Sequence, residues 1–576
     1  MKRSSLLPVL WGFQQKHGYI SNNTITEIAK KLNVSKIEIE GVVTFYHFLH
    51  SKPTGKYIIY LNNSIVSEFK GFNQVKSAFE KETGGTFGIY DKNPMFSLFE
   101  TSCIGLSDKE PAALINSSPF TNLTPKKVSS LINHLKGGGK LTDIEDNPTS
   151  KIQYKPTEDK TIFFRNYSLG NTITKLKHLK PNEVLKEIEK ADVSGRGGAF
   201  FPTATKWQYS KNSATNKKYI ICNADEGEPG TFKDKALLNY APGLVLEGMV
   251  TAAYVSGAQK GIIYLRAEYN YLVPKIEKTI NKFYTNGFLG KNIANIKNFN
   301  FDIEVFLGAG AYVCGAETAL IESLEGKRGE PRIRKYFPTH IGYNNKSTIV
   351  NNVETLALAA RVIELGSNFF QKIGTSKSKG TKLLSVSGDV AKPGIYEVEW
   401  GTSINQLISM EMAQATAPNY VQISGPSGEC INKNEFHRKI SKEDLACGGS
   451  IMIFNKYRSI IQIIENFTHF FKTESCGSCT PCRAGNQILI EKIKKIKKGI
   501  ASSEDLNQIK ELGEIMKLTS RCGLGQYAAN TFISAIDKFQ EYFNLKVFVC
   551  EEDCNIEFDM EAAVFEYDNI IQSTQN

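Results

Sequence analysis

The sequence predicts a multidomain α/β protein with a helical, cysteine-bearing region near its C-terminus. Apolar runs at residues 219–222 and 261–265 alternate with helix-length segments, which is typical of buried parallel strands. Residues 381–455 instead hold short strand-like runs joined by turn residues, and residues 460–545 return to helical spacing. A chain of 576 residues is long enough for three or four domains.

The first 136 residues predict a helical hairpin followed by a small α/β domain. Leu6, Leu10 and Phe13 form one helical stripe, and a second follows over residues 25–32. The next predicted elements are a strand at 56–61, a helix at 75–81, a strand at 96–99 and a helix at 124–136. This order resembles a thioredoxin-like domain.

Changes of composition and period set the predicted domain boundaries. A Gly-, Asp-, Pro- and Lys-rich stretch without period is predicted to be a linker. The predicted units are the hairpin with its thioredoxin-like domain (1–136), the linker (137–160), the α/β domain (161–375), the β-rich module (376–457), the helical bundle (458–545) and an acidic tail (546–576).

Composition favours a cytoplasmic protein without a membrane span. Hydrophobic residues make up 41% and charged residues 22%, both ordinary for soluble proteins. The net charge of +11 comes from scattered Lys and Arg rather than a dense basic arm, which argues against nucleic acid. The start lacks the cleavage site of a signal peptide. Eleven cysteines, an odd number, favour a reducing compartment.

Four cysteines predict a [4Fe–4S] cluster. Cys476, Cys479 and Cys482 follow C-x2-C-x2-C spacing, and Cys522 lies about forty residues later. One loop can hold three corners of a cubane while the remote thiolate holds the fourth. Structural zinc is the main alternative, but zinc modules usually supply two C-x2-C pairs. Disulfides are disfavoured because nothing indicates an oxidising compartment.

The remaining cysteines and the eight histidines give weaker signals. Cys550 and Cys554 either bind a metal or are plain thiols in a tail, and the second interpretation is favoured. The histidines show no paired-ligand spacing. Four other cysteines are predicted to be small buried hydrophobic residues, namely Cys222, Cys314, Cys430 and Cys447.

The first polar, glycine-rich segment of the α/β domain is S-G-R-G-G-A-F-F-P-T-A-T-K-W (residues 194–207). Its glycines let the backbone approach a phosphate or a flat ring, and its basic residues offer positive charge. An ordinary glycine-rich turn is the alternative. The residues concerned are Gly195, Arg196, Gly197, Gly198 and Lys206.

Two further segments have the composition of a ligand site. Residues 222–235 follow a predicted strand and carry Asn223, Asp225, Glu226 and Glu228, which suit ribose or ribityl hydroxyls. Residues 308–329 read G-A-G-A-Y-V-C-G-A-E-T, then a helical stretch, and I-V-N-N-V-E-T follows at 349–355. Glycines before a helix suit a phosphate, although the pattern is not G-x-G-x-x-G.

Together these features predict one particular chemical task. A nicotinamide delivers two electrons as a hydride, whereas an iron–sulfur cluster accepts one electron at a time. A flavin is the cofactor that can do both. Flavin, NADH and a [4Fe–4S] cluster therefore form a coherent set.

Residues 161–540 resemble the NADH-oxidising flavoprotein subunit of respiratory complex I and its soluble relatives. The motifs G-R-G-G-A, N-A-D-E-G-E-P-G-T-F-K-D, G-A-G-A-Y-V-C-G, V-N-N-V-E-T and E-S-C-G-S-C-T-P-C-R-A-G carry the resemblance. It implies a β-grasp-like (SLBB-type) module at 376–457 and an FMN/NADH domain that is not a classical Rossmann fold. The implied FMN residues are Gly195, Arg196, Gly197, Gly198, Lys206, Asn223, Asp225, Glu226, Asn351, Asn352 and Thr355, and Gly315 belongs to the same cofactor-binding set.

The resemblance also implies a dinucleotide site lined by Phe201, Glu228, Glu317 and Phe337. A carboxylate at Glu228 beside the adenosine ribose would repel a 2′-phosphate and favour NADH over NADPH. No residue is required as a proton-transferring acid or base, because hydride transfer depends chiefly on positioning.

This chain departs from the family pattern at three positions near the flavin. Phe200 and Ala204 stand where glycine is usual, and Ala316 replaces an acidic residue. We expect Phe200 either to narrow the pocket or to repack beside it.

Residues 1–136 resemble the thioredoxin-like [2Fe–2S] subunit that accompanies this flavoprotein. The four ligand positions of that subunit hold Asn62, Ser67, Cys103 and Ser107 here. The resemblance therefore implies a domain without a [2Fe–2S] cluster.

Such a fusion resembles the diaphorase flavoprotein subunits of soluble NAD-reducing [NiFe] hydrogenases. The implied partners are an iron–sulfur electron-transfer subunit and [NiFe] hydrogenase subunits of a hetero-oligomer. One alternative is the equivalent subunit of an NAD-dependent formate dehydrogenase. Another is a non-catalytic scaffold that has lost flavin.

Overall fold

A computed structural model describes residues 2–90, 93–333 and 335–548. The predicted acidic tail lies almost entirely outside these residues, and so do Cys550 and Cys554. Among the described residues, no helix has both the length and the apolarity needed to cross a membrane.

The chain begins with three helices. The first two pack their apolar stripes inward, and Ser21 caps the second helix by accepting a hydrogen bond from the Thr24 N–H. That helix ends at Asn33, which adopts the left-handed conformation. The helices are α1 (Leu6–His17), α2 (Asn22–Leu32) and α3 (Lys36–Val43).

A four-stranded sheet with helices follows. Its order is β2-β1-β3-β4, with β1 parallel to β2 and antiparallel to β3. The elements are β1 (Tyr57–Asn62), α4 (Ile65–Phe69), α5 (Phe72–Thr83), β2 (Phe96–Thr101), β3 (Ala113–Ile115), β4 (Ser118–Phe120) and α6 (Pro125–Lys136). The predicted strand–helix alternation of this region is confirmed.

The predicted linker contributes to a sheet. Residues 152–154 form a strand that pairs with a strand of the β-rich module more than 200 residues later in the chain. The stretch 137–160 is therefore not a free connection between two domains. This strand is β5 (Ile152–Tyr154).

The central domain is built on four parallel strands in the order β8-β7-β6-β9. Helices α11 and α14 pack closely: a Cβ at Gly248 would lie 2.1 Å from the Leu356 carbonyl oxygen. The elements are α7 (Asn171–Leu176), α8 (Pro181–Lys190), α9 (Thr203–Asn212), β6 (Lys218–Ala224), α10 (Lys233–Tyr240), α11 (Pro242–Ser256), β7 (Lys260–Leu265), α12 (Val273–Thr285), β8 (Asp302–Leu307), α13 (Glu317–Leu324), β9 (Ser347–Asn352), α14 (Val353–Leu365) and α15 (Ser367–Gln371).

The β-rich module is a mixed sheet with one short helix. The sheet order is β13-β12-β14-β10-β11-β5, so the strand from the predicted linker forms one edge. The elements are β10 (Thr381–Gly388), β11 (Gly394–Glu399), α16 (Ile404–Ile408), β12 (Pro418–Ile423), β13 (Glu429–Asn432) and β14 (Ser450–Asn455).

The C-terminal region is helical, with one short strand pair. Its first helix shares a continuous buried core with α13 and with the N-terminal helices α1–α3. The hairpin therefore packs against the central domain and the C-terminal region as well as preceding the thioredoxin-like sheet. The elements are α17 (Ile460–Glu474), α18 (Thr480–Lys498), β15 (Ala501–Ser502), α19 (Ser503–Thr519), α20 (Gly523–Tyr527), α21 (Asn530–Lys538), α22 (Gln540–Asn544) and β16 (Val547–Phe548).

Candidate functional site

The polar segments meet at the carboxyl edge of the parallel sheet. Strands β6 and β9 are neighbours, and Asn223 is the register partner of Asn352. Ligands of open α/β sheets bind at this edge, where loops following adjacent strands converge. The register therefore brings two segments that are more than 100 residues apart in sequence to one place.

The glycine-rich loop after α8 lies beside the same edge. A Cβ added at Gly197 would lie 3.6 Å from the Asn352 Cβ, and one added at Gly198 would meet nothing within 4 Å. A Cβ at Gly195 would likewise find no atom closer than 3.6 Å. Packing of the protein itself therefore does not fill the space above these glycines. The open cradle fits a flat or phosphate-bearing ligand.

The acidic turn after β6 supplies a buried carboxyl group. Asn223 donates from Nδ2 to the Gly315 carbonyl oxygen at 2.9 Å, which joins this turn to the third glycine-rich segment. A Cβ at Gly315 would lie 3.4 Å from Asp225 Oδ2. Burial raises the pKa of Asp225 well above its usual range, against the attraction of Arg266. Within the described residues this carboxyl group has no hydrogen-bond partner, so it suits a ligand hydroxyl or ring nitrogen.

Lys206 and Glu317 connect α9 to the start of α13. The Lys206 ammonium lies 3.1 Å from Glu317 Oε1 and donates to the Val350 carbonyl oxygen at 3.0 Å. The ring of Phe201, which is 41% exposed, lies 6.0 Å from the same ammonium. Three residues predicted to bind cofactors are thus brought together.

Glu228 is held by two parts of the chain. Its Oε2 accepts a hydrogen bond from the Tyr312 hydroxyl, and its Oε1 accepts one from the Ser427 N–H at 2.8 Å. Burial raises the pKa of Glu228, while these two hydrogen bonds lower it. The loop of the β-rich module around Ser427 therefore forms one wall of the site.

Two predicted side chains do not face the cleft. Arg196 is 2% exposed, donates to the Thr381 carbonyl oxygen at 3.0 Å and stacks 4.9 Å from the Trp400 ring. The expectation that its guanidinium offers charge to a ligand is therefore wrong, and the residue lines the loop through its backbone. The reason is that the module packs directly behind the loop.

Glu226 also has a structural contact pattern. Its two oxygens accept hydrogen bonds from the Asp234 and Lys235 N–H groups at 2.6 and 3.0 Å, and the Tyr269 hydroxyl donates at 2.8 Å. These N–H groups belong to the first turn of α10, where a carboxylate is favoured. The Glu226 carboxylate therefore caps a helix rather than pointing freely into the cleft.

The residues after β9 are buried and connected to the glycine-rich loop. The Thr355 hydroxyl accepts from the Arg196 N–H at 2.9 Å, and the Asn351 side-chain oxygen accepts from Trp207 Nε1 at 2.8 Å. Phe337 lies apart, 61% exposed, without a contact to another predicted site residue among the described residues.

Phe200 repacks beside the loop instead of narrowing the cleft. Its ring packs against the core of the β-rich module and lies 6.3 Å from Trp400 in an edge-to-face arrangement. Its φ of +50° explains why glycine suits this position. Ala204 packs against the core of the central domain, and Ala316 occupies the N-cap position of α13.

The four cysteines of the C-terminal region line one cavity. Cys476, Cys479, Cys482 and Cys522 surround an empty volume of about 280 Å³, which Val313 also lines. No three His, Cys, Asp or Glu side chains in the described chain are grouped closely enough to hold a single metal ion. Four sulfurs spread around a cavity fit a cluster better than one zinc ion, whose thiolate ligands converge to about 2.3 Å.

The backbone around the cysteines favours negative charge in the cavity. Cys479 is the N-cap of α18, and Cys482 lies in the first turn of that helix. Helix N-termini carry partial positive charge, which stabilises thiolates and an anionic cluster. Burial raises the pKa of Cys482 to about 11, so the polypeptide alone keeps this group a thiol. Thiolate ligands must therefore lose protons when iron binds.

One carboxylate links the cysteine loop to the sheet edge and to the thioredoxin-like domain. Glu474 ends α17, two residues before Cys476. It accepts a hydrogen bond from the Tyr312 N–H at 2.9 Å and another from the Ser102 hydroxyl at 2.7 Å. The segment that includes Tyr312 and Val313 therefore borders both the sheet-edge cleft and the cysteine cavity.

Three family models match the chain in the order of its domains. Residues 1–136 match the thioredoxin-like [2Fe-2S] ferredoxin, and residues 188–361 match the Nuo51 FMN-binding domain. Residues 462–546 match the iron-sulfur binding region of NADH-ubiquinone oxidoreductase F.

A relative spans the whole chain. The alpha subunit of the NAD-reducing hydrogenase HoxS from Cupriavidus necator is 42% identical over 585 residues, which cover 100% of this chain and 97% of the relative. The chain belongs to the family of NAD-reducing hydrogenase alpha subunits. More partial relatives are the HndC subunit of the NADP-reducing hydrogenase of Solidesulfovibrio fructosivorans, 39% identical, and a subunit of the NADH-quinone oxidoreductase of Aquifex aeolicus, 38% identical. These matches cover 68% and 64% of this chain, and 80% and 87% of the relatives.

Solved structures agree with this membership in the family of NAD-reducing hydrogenase alpha subunits. The crystal structure of an NAD+-reducing [NiFe]-hydrogenase in the H2-reduced state contains a chain that superposes with a TM-score of 0.89 at 33% identity. That match covers 99% of this chain and 97% of the other. The air-oxidised state gives a TM-score of 0.87 at 34% identity, with coverages of 98% and 97%. The resemblance stated from the motifs is thus confirmed.

In this member of the hydrogenase family, the [2Fe–2S] ligand positions of the thioredoxin-like domain form ordinary polar contacts. Asn62 donates to the Glu110 carboxyl group, and Cys103 lies 3.4 Å from the Ser107 hydroxyl. Ser67 is fully buried, and its hydroxyl has no hydrogen-bond partner in the described chain. Burial raises the pKa of Cys103. One thiol with three oxygen- or nitrogen-bearing side chains does not fit a cluster that needs four sulfur or imidazole ligands.

The hairpin of this hydrogenase family member supports the third glycine-rich segment, a role that the sequence did not predict. The His47 N–H and Phe48 N–H donate to the Gly310 and Ala309 carbonyl oxygens at 2.9 and 3.1 Å. Trp11 donates from Nε1 to the Gly308 carbonyl oxygen at 3.0 Å. No motif signals such backbone pairing, because it depends on how two remote segments pack.

Proposed function

We propose that this chain is the diaphorase subunit of an NAD-reducing hydrogenase. It transfers electrons between NAD(H) and a hydrogenase module through FMN and a [4Fe–4S] cluster. One observation carries the proposal. Residues 312–315 border both sites, since Tyr312 contacts Glu228, Gly315 faces Asp225, and Val313 lines the cysteine cavity. A two-electron site and a one-electron site placed this close need a mediator, and a flavin accepts a hydride and returns single electrons.

The cradle at the carboxyl edge of the sheet is the proposed FMN site. The glycine-rich loop and Gly315 leave room for the flavin, and Asn223, Asp225 and Asn352 supply polar groups around it. Lys206 adds a positive charge that is held by Glu317. The proposed set is Gly195, Arg196, Gly197, Gly198, Lys206, Asn223, Asp225, Glu226, Gly315, Asn351, Asn352 and Thr355, with Arg196 contributing its backbone and Glu226 acting through α10.

The mouth of the cradle is the proposed dinucleotide site. Phe201 and Phe337 are large exposed aromatic side chains, which suit stacking on a nicotinamide or an adenine. Glu228 and Glu317 supply carboxylates for ribose hydroxyls. The chain positions the reacting groups, and we assign no proton-transferring acid or base.

Cys476, Cys479, Cys482 and Cys522 are the proposed cluster ligands. The cavity that they line and the helix N-terminus at Cys479 support a cluster rather than a zinc ion. We further propose that the thioredoxin-like domain holds no [2Fe–2S] cluster, because three of the four expected thiolates are replaced. Its proposed role is structural.

The finer architecture and the setting are proposals of the same kind. The mixed sheet β10–β14 with α16 supports a β-grasp-like module, and helices α17–α22 support a bundle around the cluster. The proposed partners are an iron–sulfur electron-transfer subunit and [NiFe] subunits in the cytoplasm. Neither nucleic acid nor a membrane is part of the proposed function.

Spectroscopy of the purified chain tests the proposal. The protein is produced with its maturation partners, supplied with FMN and purified under anaerobic conditions. We expect a bound flavin spectrum that NADH bleaches, and about four iron atoms per chain. A colourless protein with stoichiometric zinc, or a protein that binds no FMN, would overturn it. About six iron atoms per chain would overturn the absence of the [2Fe–2S] cluster alone.

The identity of the co-purifying subunits separates the two catalytic alternatives. A [NiFe] subunit supports the hydrogenase assignment, and a molybdenum-containing subunit would support a formate dehydrogenase. The full-length similarity to the HoxS alpha subunit favours the former. A scaffold without flavin is disfavoured by the open glycine cradle, which nothing in the described chain fills.

A further inference from the structure

A group of buried charged residues lies directly beneath the glycine-rich loop. Glu354, at the start of α14, is fully buried and is surrounded by three cations. Its Oε2 lies 2.9 Å from Lys233 Nζ and contacts Lys382 Nζ, and its Oε1 lies 3.9 Å from Arg196. Lys233 also lies 2.7 Å from Asp234. We call these five residues the buried charge cluster.

The buried charge cluster carries an excess positive charge. It contains three cations and two carboxylates, and each side chain is at most 2% exposed. Burial would raise the pKa of Glu354, but the three cations lower it to about 2, so this carboxylate stays ionised. An unbalanced charge away from water is costly, and proteins keep one mainly where a ligand supplies the opposite charge.

The surrounding groups do not supply the missing negative charge at contact distance. Burial lowers the pKa of Lys382 to about 8, although Glu354 raises it. Glu226 is a further carboxylate that acts on Lys233, and burial raises its pKa to about 7, so it is only partly ionised at neutral pH. The excess charge therefore persists at the pH of a cytoplasm.

The buried charge cluster is one residue layer away from the cradle. Asn352, which faces Gly197, donates to Asp234 Oδ2 at 2.6 Å and lies 3.5 Å from Lys233 Nζ. A Cβ at Gly449 would lie 2.5 Å from the Lys233 side chain, and one at the adjacent Gly448 would lie 3.7 Å from the Gly198 Cα. Lys233 therefore lies below the point where the loop of the β-rich module meets the glycine-rich loop.

We propose that Lys233 and Lys382 are positioning residues whose excess positive charge balances a negative charge of the bound flavin. This inference rests on the proposed FMN site. The negative charge belongs either to the phosphate of FMN or to the reduced flavin ring, and both are anionic. Lys382 comes from strand β10, so the β-rich module contributes charge to the flavin site without touching the flavin.

Lys382→Met tests the proposal because it removes one positive charge and leaves equal numbers of cations and carboxylates. Lys382→Arg keeps the charge and serves as the matched control. The dissociation constants of FMN and riboflavin are measured by flavin fluorescence on the apoprotein, and the midpoint potential of bound FMN is measured by redox titration. A charge several ångström away in a protein interior changes affinity by more than thermal energy.

We expect one of two results for Lys382→Met, with Lys382→Arg within about twofold of the wild type. If the phosphate is balanced, the FMN dissociation constant rises about tenfold and that of riboflavin does not change. If the reduced ring is balanced, the midpoint potential falls by about 30 mV for each tenfold loss of preference for the reduced form. Lys233→Met removes the same charge on the other side of Glu354 and should shift the same quantity in the same direction.

An unchanged FMN dissociation constant together with an unchanged potential, in Lys382→Met or Lys233→Met protein that folds normally by circular dichroism, would overturn this inference. It would leave the proposed function intact, because the wild-type protein would still bind FMN. If the wild-type protein bound no FMN, the proposed function itself would fail.

Discussion

At the scale of single residues, hydrogen-bond partners decide which polar groups are available for a ligand. Asp225 is buried without a partner among the described residues, so it can receive a ligand group. Glu226, one residue later, uses both oxygens to cap α10. Two carboxylates of one motif therefore have different roles, and only their surroundings distinguish them.

Glu228→Gln should relax selectivity toward NADPH. The carboxylate is fixed by Tyr312 and Ser427, and the amide keeps its size while losing the charge that repels a 2′-phosphate. We expect the ratio of kcat/KM for NADH to that for NADPH to fall about tenfold or more, measured with ferricyanide as acceptor. Tyr312→Phe, which keeps the carboxylate, is the control and should stay selective for NADH. Unchanged kinetics with both nucleotides would contradict the role of Glu228.

At the scale of elements, helix N-termini and strand ends place the chemistry. Cys479 and Cys522 occupy the N-cap positions of α18 and α20, and Asn223 and Asn352 are register partners near the ends of adjacent strands. A loop that follows a regular element has a fixed starting point and direction, which narrows where its side chains can reach. This is why spacing in the sequence identified both sites.

Cys522→Ser should separate the two halves of the electron path. The serine keeps the N-cap position of α20 but is a poor iron ligand, so the cluster is lost or altered while the cradle remains. We expect NADH–ferricyanide activity to be partly retained and electron transfer to the partner subunit to decrease at least about tenfold. Cys430→Ser, at a buried cysteine 3.3 Å from the Ser534 hydroxyl, is the control. Equal loss of both activities would mean that Cys522 acts mainly in folding.

The former ligand region of the thioredoxin-like domain should make stability depend on pH. Burial raises the pKa of Glu110 to about 8, although Lys70 lowers it. The folded protein therefore holds a proton that the unfolded chain releases between the ordinary glutamate pKa and about 8. The contribution of Glu110 to stability falls as pH rises through this window, by up to about 1.4 kcal/mol per pH unit.

Glu110→Gln removes this titration. We expect the thermal midpoint of the variant, relative to the wild type, to rise from about pH 5 to about pH 8 and then to level off. Glu27→Gln, at an exposed position in the same region, should show no such trend. Parallel curves for Glu110→Gln and the wild type would contradict the raised pKa.

At the scale of the whole molecule, the domains act as one support for the candidate site. The hairpin holds the glycine-rich segment at 308–315, the β-rich module supplies Ser427 and Lys382, and Glu474 ties the cysteine loop to both the central and thioredoxin-like domains. A site built from several domains is rigid only when all of them are docked. This gives the thioredoxin-like region a purpose that needs no cluster.

Phe48→Ala should therefore affect the flavin although Phe48 lies in the N-terminal region. Its ring packs under Gly310, where a Cβ would lie 2.2 Å from it, and the side chain is 4% exposed. We expect a loss of roughly 3–5 kcal/mol of stability and an FMN dissociation constant several-fold higher, as the loop relaxes. Phe79→Ala, in the thioredoxin-like core, should cost similar stability without changing FMN binding. Equal effects of both variants on FMN would contradict the support by Phe48.

The sequence by itself determined the family, the order of the domains, the four cysteines and the segments that meet at the sheet edge. Those features depend on spacing, on strand and helix periods and on motif residues, all of which are local in the chain. Only the tertiary structure decided that the Arg196 guanidinium and the Glu226 carboxylate turn away from the cleft, that Phe200 packs on Trp400, and that residues 152–154 join a distant sheet. It also brought together Lys233, Glu354 and Lys382, which are up to 149 positions apart in sequence. The physical reason is that a side chain's direction and charge environment are set by packing between segments that the sequence does not show to be neighbours.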